Sequence, residues 1–215
     1  MNTVVTSQPI TLYGRLEYQF RKLAVDAQAD QAFARIVEQS SLFLGLENRL
    51  IAITQENASL KSRFVKMLKI ADRIAEAISP HAGCQRTCSH CCNISVGLSA
   101  AEARHIGAAI GVTPRSNVSS LGDRSALIDR YFGEPCPFLE NQECSIYAHR
   151  PVACRLHFTL DRDGYFCSTQ IHPEDSLVPA VNLEAYWIMY GYLALQIEDS
   201  EGDIRQFFPN GRQVG

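Results

Sequence analysis

Nothing in this chain approaches the ~20 consecutive apolar residues that span a bilayer, so no membrane partner is expected. Concentrated positive charge is missing as well. Arg21-Lys22 is the single pair of adjacent basic residues, and the formal charge is -3. Phosphate-backbone binding needs clustered Lys and Arg, so no nucleic acid is expected either. There is no glycine-rich cofactor loop. The first residues, MNTVVTSQPITLYGRLEYQF, carry no basic segment ahead of an apolar core and do not read as a signal peptide. Cysteine is too sparse for a disulfide scaffold, with eight in 215 residues. The expected location is therefore cytoplasmic. Thiols stay reduced there, and grouped cysteines bind metal or do chemistry more often than they form bridges.

What is present is an ordinary globular composition, 46% apolar and 20% charged, with enough length to bury a real core. From Arg15 the pattern is helical, with Leu16, Phe20, Leu23, Ala27, Ala34 and Val37 close to one face that Asp30 interrupts. A cleaner run follows. Leu46, Leu50, Ile53, Asn57, Leu60, Phe64, Met67, Ala71, Ile74 and Ile78 alternate spacings of four and three, a heptad seam that ends at Ser79-Pro80. A helix of that length needs a partner, either the 15–37 helix or a second subunit. Asn57 on the seam is a register-fixing residue type, so a homodimer through the 46–78 helix is one expected assembly.

All eight cysteines fall between residues 84 and 167: Cys84, Cys88, Cys91, Cys92, Cys136, Cys144, Cys154 and Cys167. Cys84 and Cys88 are one helical turn apart, and Cys91 follows Cys88 at the C-x-x-C spacing that lets two thiolates share a metal. Cys92 must point differently from its neighbour. Thioredoxin-type redox chemistry needs only one such pair opening a helix after a strand, whereas here the strand-like NISVGLS follows the cysteines. Ser99 and Glu102 make a capping box opening a helix to about Ile110 that Gly111 ends. Asp123 to Phe132 reads as a further helix, and Glu140-Asn-Gln-Glu143, flanked by Cys136 and Cys144, as the turn of a small knuckle. Asp163-Gly164 reads as a turn between strands RLHFTL and YFCSTQ, which would return Cys167 alongside Cys154.

The run C-x3-C-x2-CC, then CPFL, then C-S-I-Y-x-x-R-P-x-x-C-R, resembles the YkgJ-like family of zinc- or iron-chelating domains. The resemblance covers about residues 84–167 and implies a bound metal, with seven cysteines as ligands. Flagellin lysine N-methylases are similar around their cysteines, which in that group point to an iron–sulfur centre. The expected cofactor is zinc, with iron or an iron–sulfur cluster as the alternative, and the expected ligands are the eight cysteines. Arg150 and Arg155 flank Cys154 and are positioned to offset thiolate charge. His90 is a lesser ligand candidate, then His149 and His157, with His81 and His172 last. Tyr147 and Phe138 read as local core.

The 183–197 segment reads as a core helix, and the chain from Ser200 as a polar tail without helix period. The expected fold is mainly α, with a long N-terminal helical pair and a small cysteine-rich α+β metal-binding domain. The expected units are 1–79, 80–200 and a tail, 201–215. The expected function is multi-cysteine metal binding. The alternatives are an iron–sulfur-dependent enzyme of redox or methylase-like transfer type, and a protein-interaction module with a structural metal.

Overall fold

The computed structural model describes residues 12–84, 87–116, 118, 124–171, 178–198 and 200–212. Residues 1–11, and the ligand candidate His172, lie outside them. The chain is mainly helical, with long N-terminal helices and a small β-containing, cysteine-rich region. α1 (Leu12–Gln39) leads through a 3-10 turn (Ser41–Phe43) into α2 (Leu46–Gln55) and α3 (Leu60–Ile78). β1 (Gly97–Ser99), α4 (Ala100–Ile110) and α5 (Arg124–Tyr131) follow, then the hairpin of β2 (Leu139–Glu140) and β3 (Glu143–Cys144). α6 (Val152–Arg155), α7 (Glu184–Ile197), β4 (Glu201–Asp203) and α8 (Ile204–Phe207) complete the order.

The expected single helix over 46–78 is two helices. The break lies at residues 56–59, where Glu56 is extended and the Ser59 side chain accepts from the Ser62 N–H to cap α3. Asn57 therefore sits exposed in the break instead of in a helical seam. The remaining seam is real but inward. Leu50, Phe64, Met67, Ala71, Ile74 and Ile78 are buried in the main core with Tyr186, Tyr190, Leu193 and Ala194 of α7. The Tyr186 hydroxyl donates to the Met67 carbonyl at 3.1 Å, satisfying a polar group that α7 carries into this core.

On α1 the face chosen from sequence is the wrong one. Val25, Ala32 and Ile36 are buried, whereas Leu16, Phe20, Leu23 and Val37 are exposed. The helix meets the rest of the chain along a narrow line that an alanine and two branched residues fill.

A second core joins Val96, Leu98, Ile106, Phe138 and Ile146 to Ile204, Phe207 and Phe208. It is closed by β1 pairing antiparallel with β4, Leu98 opposite Gly202. The tail read as lacking helix period thus carries a strand and a short helix. Asp203 caps that helix in a full capping box with Gln206, and also accepts from the Val96 N–H at 2.6 Å. Among the described residues no helix is long and apolar enough to cross a membrane.

Candidate functional site

The cysteines reach one place by several separate local devices. Gly83 precedes Cys84, and its N–H donates to the Thr159 carbonyl at 2.9 Å. A Cβ there would overlap the Asp161 carbonyl, so the residue before Cys84 must be glycine for the two segments to meet. Thr87 is held at φ 75°, an uncommon place for a β-branched residue. Cys91 and Cys92 sit in a 3-10 turn, His90–Asn93, which the Cys92 N–H closes on the Ser89 carbonyl at 2.9 Å.

Cys136 is tied directly to that turn, its N–H donating to the Cys92 carbonyl at 2.6 Å. The next hairpin follows from a two-residue loop, Asn141 at φ 50° and Gln142 at φ 65°, the left-handed pair of a type I′ turn. That register sets Cys144 opposite Leu139.

Cys154 rides on α6, one turn long and unable to hold itself. Glu102 anchors it. Ser99 caps α4 as expected, accepting from the Glu102 N–H at 3.2 Å. The Glu102 carboxylate then turns away from the cap to accept from the Val152 N–H at 2.7 Å and the Tyr190 hydroxyl at 2.6 Å. Burial holds this carboxyl above the usual carboxylate range, and those two donors offset part of the rise.

Cys167 ends a 3-10 turn, Tyr165–Cys167. The strands expected on either side of Asp163-Gly164 do not form; 156–160 is an irregular segment with Leu156, Phe158 and Leu160 buried. What holds the turn is Arg21 of α1, bidentate on Asp163 at 2.8 and 2.9 Å and stacked 4.2 Å over the Tyr165 ring. Gly164 brings the turn close to His90 and Cys88, where a Cβ would stand 3.1 Å from the imidazole and 3.6 Å from the Cys88 sulfur. Arg21 and Glu102 carry no motif in the sequence. Only the i, i+3 spacing of Ser99 and Glu102 flagged the latter, and for a different job.

All eight cysteines line one cavity of about 850 Å³, with Arg150, Tyr147, His90 and His157 also on its wall. The thiols differ sharply in charge. Cys91 is lowered to about 7, first because Cys92 donates a hydrogen bond to it and then because Arg150 stands nearby. Cys92 is correspondingly held up by that same bond and by burial. Burial pushes Cys136 up to about 11 and Cys167 up to about 12, and raises Cys84, Cys144 and Cys154 as well. Arg150 acts as expected, favouring the thiolates of Cys91, Cys84 and Cys144 while it stacks 4.0 Å over Tyr147. Arg155 does something else, donating to the Arg150 carbonyl at 2.7 Å and pairing with Asp72 of α3. Burial lowers His157 below the usual imidazole range.

This arrangement overturns the expected metal centre. Among the described residues no three His, Cys, Asp or Glu donors group closely enough to hold one ion. Thiolate bonds to zinc are about 2.3 Å long, so donors sharing an ion must nearly touch. Here Cys84, Cys88, Cys91, Cys92, Cys136, Cys144, Cys154 and Cys167 are spread around a wide wall. Metal binding as the function, zinc, iron or an iron–sulfur cluster as cofactor, the iron–sulfur enzyme and the module with a structural metal all lose their geometric basis.

The fold and the cavity define a helical protein with a cysteine-cluster domain. Residues 83–172 match the family described as "Putative zinc- or iron-chelating domain", which is YkgJ-like. The family's pattern, CxxCxxCC, differs here in its first spacing, since three residues separate Cys84 from Cys88. Thr87, with its positive φ, is the last of those three. No curated protein and no solved structure matches the chain.

Proposed function

We propose that the cysteine-lined cavity carries out thiol–disulfide exchange, with Cys91 as the attacking sulfur and the other seven cysteines as its site. The observation that carries this reading is the Cys91 thiol, poised near neutrality inside a cavity walled by seven further thiols. A thiol with a pKa near ambient pH is the best attacker, because it combines thiolate population with nucleophilicity.

In the first step the Cys91 thiolate attacks one sulfur of a small disulfide. The substrate S–S bond breaks, a Cys91 mixed disulfide forms, and the leaving thiolate takes a proton. A second cavity thiol then loses its proton and attacks the Cys91 sulfur. This closes an internal disulfide and frees the second substrate thiol, so two electrons pass from protein to substrate. Cys92 is unsuited to closing that bond. Adjacent Cα atoms stand about 3.8 Å apart, under the usual ~4.4 Å minimum for a disulfide. Its part is to donate to Cys91. Cys84, Cys144, Cys154 and Cys167 each feel the Cys91 charge and are the candidate second thiols.

The test uses reduced, full-length protein with oxidised glutathione under argon, followed by peptide mapping. Two glutathione thiols released per chain, and an internal bond from Cys91 to one of those four residues, are expected. Cys91→Ser should slow the release at least about tenfold, as expected for loss of the attacking group. Equal rates for Cys91→Ser and the parent would overturn the reading.

A further inference from the structure

α1 has two apolar faces, and the rest of the chain uses only one. At 100° per residue, Val25, Ala32 and Ile36 lie within a narrow arc facing the cores. Leu16, Phe20, Leu23, Ala27 and Ala34 lie on the opposite side of the same helix. Phe20 is 72% and Leu23 83% exposed, and Leu16 52%. A helix that is apolar on two opposite sides has a second surface to cover.

The stripe is graded along its length. Its N-terminal half carries the bulky Leu16, Phe20 and Leu23, and its C-terminal half carries Ala27 and Ala34. Charge is graded too. On one edge Lys22 precedes Asp26 and Asp30, and on the other Glu17 precedes Arg35. Two copies of this helix laid antiparallel about a dyad near residue 25 place the bulky half of each over the small half of the other. In an antiparallel pair with that symmetry each edge faces the same edge of its partner. Lys22 then meets Asp26 and Asp30 of the second copy, and Glu17 meets Arg35. A parallel arrangement opposes bulk to bulk and leaves the small residues facing one another.

We infer that α1 is a self-association surface, on which a second copy of this chain docks through the Leu16–Ala34 stripe in an antiparallel, two-fold pair. The interface is isologous: each contact occurs twice, as closed dimers require. It leaves α2, α3 and the cysteine cavity untouched. Buried residues of α1, and the partly buried Arg21 at the Asp163 turn, keep their intramolecular roles.

Multi-angle light scattering and sedimentation velocity on the reduced full chain test this. The expected mass is twice 23.9 kDa at tens of micromolar protein. Phe20→Glu with Leu23→Glu should return the mass to that of one chain with circular dichroism unchanged, since both side chains are exposed. Lys22→Glu alone should weaken the dimer at least about threefold, and adding Asp26→Lys and Asp30→Lys should restore it. A monomer at every concentration up to about 100 μM overturns the inference, as does a dimer indifferent to the glutamate pair. A dimer that the charge reversal fails to rescue overturns the antiparallel register.

Discussion

Glu102 shows how one carboxylate can decide where a cysteine lies. It is buried, accepts from Val152 at the start of the one-turn helix that carries Cys154, and accepts from Tyr190 in α7. Glu102→Leu leaves the Val152 N–H without an acceptor and the Tyr190 hydroxyl with only the longer 3.4 Å contact to Ser99, and a buried group left unsatisfied costs about 1–3 kcal/mol. The expected loss is about 2–4 kcal/mol, read from urea unfolding of the reduced protein. Glu102→Gln keeps an acceptor for one donor and should lose less than half as much. Equal losses for the two variants would mean the side chain matters for its volume and not for its oxygen atoms.

At the scale of elements, α1 works as a brace for the Tyr165–Cys167 turn. Arg21 reaches across to Asp163, and its hydrogen bonds hold the Asp163 carboxyl below the usual carboxylate range. Asp163 is half exposed, so solvent screening leaves this pair only about 1 kcal/mol of global stability. Its consequence is local. Arg21→Ala should raise the alkylation rate of Cys167 several-fold in native protein while the unfolding midpoint moves by only a few degrees. Mass spectrometry of iodoacetamide-treated protein separates Cys167 from the other thiols. No change at Cys167 would release α1 from this role.

Across the whole molecule, the thiols link stability to pH in two opposite directions. Cys91 titrates near 7 in the folded chain against an ordinary value of 9. Its contribution is complete above pH 9 and is lost as pH falls through 7. Cys136 and Cys167, at about 11 and about 12, go the other way. The unfolded chain releases those protons from pH 9 upward while the folded chain keeps them, so stability falls between pH 9 and about 12. Melting of reduced protein should therefore show a rise from pH 7 to 9 that Cys91→Ser removes, and a decline above 9 that it leaves in place. A decline absent in reduced protein would mean the thiols are open to water.

Local periodicity and local chemistry were readable from the residues alone. The helix stop at Ser79, the Ser99 cap, the left-handed Gly111 and the tight Asn141-Gln142 turn each depend on neighbours a few positions away, and each stands where the residues imply. The core role of 184–197 was legible for the same reason, whereas the sequence left the partner of the 46–78 seam open between the 15–37 helix and a second subunit, and the folded chain packs it on α7. The break at 56–59 was not legible, because a heptad count registers apolar spacing and ignores the extended Glu56 that ends one helix and the Ser59 cap that opens the next. The working face of α1 was also hidden, since both its sides are apolar and only the packed chain selects Val25, Ala32 and Ile36. That the cysteines would share one neighbourhood followed from their motif. How they share it did not. Gly83 against Asp161, Arg21 on Asp163 and Glu102 on Val152 are contacts between segments 50 to 142 residues apart. Spacing along a chain says which thiols can meet; the distances between them are set by backbones that meet only in the folded protein.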